Sequence, residues 1–186
     1  PSDEDDVLSN TLATLDNVIL AAECIEFSGN DCNKWLLPVF NNSFAAANIY
    51  VDNGVARSVP GEINGVKSLS QAVSEKYLNS KLELKEKNYV YFHRGYLKIP
   101  FYKLLEQDFN KSLVEDKIVL IGATADDLHD DKITPIGVLS GVEIHANAVQ
   151  SITSHKSLEY QTKSSVILFL IIASIGTAAI LYFLSL

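Results

Sequence analysis

The chain has 186 residues, 47% of them hydrophobic, which is enough for one packed domain and a further segment. A formal net charge of −8, with lysines and arginines scattered rather than striped, excludes a nucleic-acid partner gripped through its phosphates. Two cysteines with no second Cys or His pair beside them exclude a structural zinc site.

In chain order, Ser2 to Leu15 reads as a helix. Ser2 can cap it, its first turn is acidic, and Leu8, Leu12 and Leu15 share a face. Asn17 to Ala22 is an apolar run read as a strand. Cys24 to Pro38 has no period and many polar turn residues, and is read as a loop with Trp35 packed back onto the domain. In an oxidising compartment Cys24 and Cys32 would close a small surface loop there, contributing somewhat under ~3 kcal/mol. In a reducing one they are two free thiols. Ala45 to Val51 and Val55 to Val59 alternate around Asp52-Asn53-Gly54, a strong hairpin signal. Arg57 sits on that hairpin. The plainer reading is a solvent-facing strand charge, the functional one a ligand or partner contact.

Leu69, Ala72, Val73 and Tyr77 give a helical stripe over Ser68 to Leu78. Tyr89 to Phe92 reads as a strand, His93-Arg94-Gly95 as a turn, and Phe101 to Phe109 as a short helix or helical turns after Pro100. Ile118 to Ile121 is an unbroken, β-branched-rich run ended by Gly122, the pattern of a strand buried on both faces. An acidic loop follows, Asp126-Asp127-Leu128-His129-Asp130-Asp131, then Thr134-Pro135. Ser140 opens a helix through an S-x-x-E capping box with Glu143. Val166 to Leu184 runs for nineteen residues without a charge. At 1.5 Å per residue it spans roughly 28 Å, close to a ~30 Å hydrocarbon core. This is a membrane helix.

K-I-V-L-I-G-A-T-A from Lys117, an acidic residue before Thr134-Pro135, and G-V-E-I-H-A-N-A from Gly141 together resemble the second class of CHASE-type domains. These are extracytoplasmic sensory domains of cyclases and histidine kinases. The segment Asn48 to Pro60 and the trailing hydrophobic helix agree with the resemblance. The resemblance implies an α/β domain, a mixed sheet flanked by helices, followed by one transmembrane helix. The expected organisation is a sensory domain over residues 1–155, a juxtamembrane linker over 156–164 and a transmembrane helix over 165–186. The family's opening βαβ portion and first membrane helix are not seen, and with no Met the chain reads as a piece of a longer protein. Lys156 and Lys163, taken alone under the positive-inside rule, place the soluble domain inside. The resemblance places it outside the cytoplasm, and that is the reading adopted.

The chemistry readable from the residues is sparse. The acidic loop lacks the spaced D-x-D-x-D-G pattern of an EF-hand, so no metal site is assigned, and no cofactor is expected. Gly122 to Ala125 lacks the spaced glycines of a phosphate loop. No nucleophile is flanked by a recognisable base, so this fragment is not expected to be an enzyme. The candidate ligand or signalling residues are Arg57, Thr124, Asp130, Asp131, Thr134, Glu143, His145 and Asn147. Glu143 is already explained by capping. His145 reads as a hydrogen-bonded packing residue or as a pH-sensitive group beside Asp130, and Asn147 as a contact to the turn at 122–124. The expected function is a sensory input domain passing a small-molecule or environmental signal through the membrane helix to a cytoplasmic output domain, as a homodimer. The alternative is a membrane-anchored structural or dimerisation module without a ligand.

Overall fold

The computed structural model describes residues 3–28, 31–38, 40, 42–124, 130–156, 158 and 163–184. Helix α1 covers Asp3–Thr14, and Ser2, its expected cap, lies outside the described residues. Its leucine stripe finds little cover: Leu8 and Leu15 stay exposed and only Leu12 is half-buried. Strand β1 (Leu20–Ser28) runs on through the segment read as a loop and pairs antiparallel with β2 (Asp31–Leu36). Cys24 and Cys32 are joined by a disulfide across this hairpin. The polar residues that suggested a loop occupy the solvent side of a two-stranded ribbon, while the bonded cysteines are buried with Ala46 and Ile63, and Trp35 packs over them.

Strand β3 (Phe44–Ala46) pairs parallel with β1, giving a mixed sheet. The run read as one strand from Ala45 to Val51 is therefore two. Its second part, β4 (Tyr50–Asp52), pairs antiparallel with β5 (Val55–Pro60). Asn53 and Gly54 both take positive φ, 50° and 78°, as a type I′ hairpin turn requires. A second Asn-Gly turn, with φ of 50° and 76° at Asn64 and Gly65, joins β6 (Glu62–Ile63) to β7 (Val66–Lys67).

Ser68 caps α2 (Leu69–Leu78), its hydroxyl accepting from the Gln71 amide. The buried positions are Ser70, Gln71 and Ser74 rather than the expected apolar stripe, and Tyr77 is exposed. This small polar face packs against α3 (Gly141–Thr153), and small side chains let two helices approach closely. Strand β8 (Lys87–Tyr89) completes the β4-β5-β8 sheet. The hairpin of β9 (Asp131–Thr134) and β10 (Gly137–Ser140) leads directly into α3. The core lies between β5 and α3: Ala56 and Val59 meet Leu139, Ile144 and Ala148, with Val90 and Phe92 alongside.

The buried strand expected at Ile118–Ile121 is a correction. Those residues belong to no sheet, and Ile118, Val119 and Ile121 are exposed. Two-sided apolar character marks a strand that needs neighbours, and the described residues supply none. After α3, residue 158 returns to bridge Tyr89. Helix α4 (Lys163–Leu184) is apolar throughout and long enough to cross a membrane.

Candidate functional site

The candidate site is built on α3. Its N-terminus is fixed twice. The capping box closes, with Glu143 Oε2 accepting from the Ser140 amide at 3.3 Å and from its hydroxyl at 3.0 Å. Asp130 Oδ2 accepts from the Gly141 amide at 3.1 Å, placing a carboxylate against the positive end of the helix. A Cβ at Gly141 would lie 2.4 Å from Asp130 Oδ2, so any other residue there displaces this carboxylate. Asp131 pairs in register with Ser140, and Thr134 Oγ1 donates to Gly137 O at 2.6 Å to hold the β9–β10 turn. These three candidates are thus structural neighbours of the helix start.

One face of α3 is fastened to the segment 91–98 by side chains in place of a neighbouring strand. The Tyr91 amide donates to Ser151 Oγ at 2.9 Å. The His93 amide donates to Asn147 Oδ1 at 2.7 Å, and Asn147 Nδ2 donates to Glu143 O at 2.8 Å. Gln150 Oε1 accepts from the Tyr96 hydroxyl at 2.8 Å and also meets His93 Nε2. Lys98 Nζ pairs with Glu143 Oε1 at 2.8 Å. Positions 143, 147, 150 and 151 recur at helical spacing, so all four rungs fall on one stripe. Asn147 is wholly buried and reaches His93, not the 122–124 turn expected from the sequence. Burial pushes the Glu143 carboxyl up, but Lys98 and the Ser140 amide and hydroxyl outweigh it and hold it below its ordinary value. Burial pushes the Tyr96 phenol up to about 12.

His145 lies on another side of α3, buried, with Nε2 3.1 Å from Ala47 O. Burial lowers its pKa and Lys132 adds to this, against the opposing Ala47 carbonyl and Asp130 charge. The ring is therefore neutral near pH 7 and donates through Nε2. Its buried Nδ1 has no partner among the described residues.

Beside the polar stripe, α3 presents Val142 and Val149 to an open cleft of about 870 Å³, whose other walls are residues 96–104 and 113–124. Leu97, Phe101, Ile118 and Leu120 line it. Gly122 closes against α3, where a Cβ would lie 2.7 Å from Val142 Cβ. The volume is in the range of small-molecule sites.

The structure thus gathers Asp130, Asp131, Thr134, Glu143, His145 and Asn147 around α3. Thr124 stands exposed on the cleft rim, and Arg57 is a solvent-facing charge on β5, apart from the others. Asp126, Asp127 and His129 lie outside the described residues. No cluster of His, Cys, Asp and Glu suited to a metal occurs among the described residues. Sequence reasoning missed Gln150, Ser151, His93, Tyr96 and Lys98. Gln150 and Ser151 were findable, since they continue the stripe of Glu143 and Asn147.

The described residues thus form an α/β domain with a fastened helix, an apolar cleft and a trailing helix long and apolar enough to cross a membrane. A family model described as the CHASE2 domain matches residues 1–181, and the chain belongs to that family. Its members are extracellular sensory, non-catalytic domains. The match reaches far beyond the Lys117–Ile152 stretch that carried the resemblance. No curated protein and no solved structure matches the chain.

Proposed function

We propose that this sensory domain sits outside the cytoplasm, reads the occupancy of the cleft beside α3, and passes it to a cytoplasmic output domain. The path runs from α3 through residues 154–162 into α4, with 1–155 as the sensory part, 156–164 as linker and 165–186 in the membrane. One observation carries the reading: α3 is at once a wall of the cleft and, among the described residues, the last helix before α4. A ligand that binds the two positions of α3 unequally would shift their populations.

The test uses the full-length receptor with its output domain. Ser140→Ala loosens the start of α3 by about 1 kcal/mol, and Ala13→Gly, on the exposed surface of α1, loosens that helix by a similar amount. Output per folded molecule should change for Ser140→Ala and not for Ala13→Gly. If both track only the amount of folded protein, α3 is scaffold and the reading fails. Ser80→Cys, exposed after α2, should react with a membrane-impermeant thiol reagent on intact cells. Labelling only after lysis would put the domain inside.

A further inference from the structure

We propose that Leu158 is a latch: its backbone holds the linker on the edge of β8 at Tyr89, and its release slackens the tether between the domain and α4. The latch rests on the proposed route of signal into α4.

The edge follows from the hydrogen bonds. The Val90 amide donates to the Arg57 carbonyl of β5. Peptide groups of an antiparallel strand alternate sides, so residues 89, 91 and 93 turn theirs away from β5. Each of these three positions finds a mate by a different means. The Tyr91 amide donates to Ser151 Oγ at 2.9 Å, and the His93 amide to Asn147 Oδ1 at 2.7 Å. Tyr89 is met by the backbone of Leu158, in an antiparallel bridge. Helix α3 and the chain beyond it therefore occupy one strand edge in succession.

The end of α3 turns the chain back onto that edge. The amides of Ser154, His155 and Lys156 donate to the carbonyls of Gln150, Ile152 and Ser151 at 2.9, 3.2 and 2.9 Å. His155 takes the left-handed conformation that commonly closes a helix C-terminus, with a φ of 53°.

The three holds differ in cover. Asn147 is wholly buried and Ser151 nearly so, whereas Leu158 is 53% exposed and Tyr89 half-buried. A bridge with little apolar cover opens first, since water replaces its bonds and little packing is lost. Opening it leaves α3 in place and moves the last hold among the described residues from Leu158 back to Lys156. Five residues lead from Leu158 to Lys163, where α4 begins, and seven lead there from Lys156. At ~3.6 Å per residue the longest reach grows from about 18 to about 25 Å. Closed, the latch ties the start of α4 to the sheet. Open, it leaves α4 on slack chain.

Two measurements test this. Hydrogen exchange on the whole chain in lipid nanodiscs needs no substitution. The Tyr89 amide should be protected, yet exchange at least ten-fold faster than the His93 amide. A Tyr89 amide without protection removes the bridge, and one as protected as His93 removes the latch. The second measurement uses the full-length receptor in membranes, carrying Tyr89→Cys and Leu158→Cys together. Directly opposed residues lie about 5.5 Å apart at Cα, within disulfide range. The native cysteines are buried and already bonded to each other. Mild oxidation should join residues 89 and 158 within one chain and change basal output at least three-fold, reversed by reductant. Each single variant should show no such dependence. Thiols that stay unbonded in folded receptor, or equal output in the bonded and reduced states, overturn the proposal. If bonding changes output while Ser140→Ala does not, the α3 reading fails and the latch stands. The reverse pattern sinks the latch alone.

Discussion

Replacing Asn147 by Ala should detach α3 from the segment beside it. Asn147 is wholly buried, and its amide bridges the His93 N–H at 2.7 Å and the Glu143 carbonyl at 2.8 Å. The Glu143 carbonyl keeps its helical partner in the variant. The His93 amide keeps nothing, and orphaning such a donor costs about 1–3 kcal/mol. The void left by the lost amide adds to this, so about 2–3 kcal/mol is expected in all. Gln150→Ala is the matched control, since Gln150 is exposed and water can replace its contacts. It should cost under about 1 kcal/mol. Denaturant unfolding of the chain in micelles, followed by circular dichroism, gives the two stabilities. Hydrogen exchange localises the effect: the His93 amide should lose its protection in Asn147→Ala, while the Tyr91 amide, held by Ser151, keeps a measurable share. If Asn147→Ala costs no more than Gln150→Ala, or the His93 amide stays protected, the helix is not fastened through Asn147.

Reducing the disulfide, or replacing Cys24 and Cys32 by Ser, should cost about 2.5 kcal/mol on the chain-entropy estimate for a sequence separation of 8. Intact mass after alkylation should show no free thiol in unreduced exported protein, and two labelled thiols there would remove the bond. The folded His145 pKa lies below its ordinary value of 6.5, so the unfolded chain takes up the proton first as pH falls. Stability is therefore unaffected above that range and declines below it, by up to about 1.4 kcal/mol at pH 5.5. His145→Gln should flatten the melting temperature between pH 7.5 and 5.5, and an unchanged pH slope would exonerate the histidine. The depressed Glu143 and Glu75 carboxyls act with the same sign at lower pH, where their protonation removes stability. Gly141→Ala should destabilise by about 1 kcal/mol by evicting Asp130 from the helix start, although Ala is the better helix former. In an Asp130→Ala background the same change should become neutral or stabilising, and a cycle that shows simple additivity would deny the link.

What the sequence disclosed was local. The Asn53-Gly54 turn, the Ser140–Glu143 box and the uncharged run into α4 each state their structure within a few residues, because dihedral preference, capping and apolar length are short-range properties. The same signal at Asn64-Gly65 went unread, since only two residues flank it on either side. The β1–β2 ribbon was obscured because a hairpin with one wet face looks, at Cys24 to Pro38, like a polar loop. Residues Ile118–Ile121 misled for the opposite reason. Their composition asks for two neighbours, and the described residues supply none. At the site, Glu143, His145 and Asn147 were visible because they share a helix with a readable start. Their partners His93, Tyr96 and Lys98 lie about fifty residues earlier on a segment without regular structure, and nothing local announces them.

The rungs between α3 and residues 91–98 also limit how α3 can move. Serine, asparagine, glutamine and glutamate differ in reach and in donor pattern, so sliding by one turn would set each against the wrong mate. Helix and strap are therefore matched in one register. The helix ends at Ser154 and His155, where the chain departs from helical geometry and His155 takes a φ of 53°. Under the proposed function, a displacement of α3 and its strap would reach the chain toward α4 at that joint.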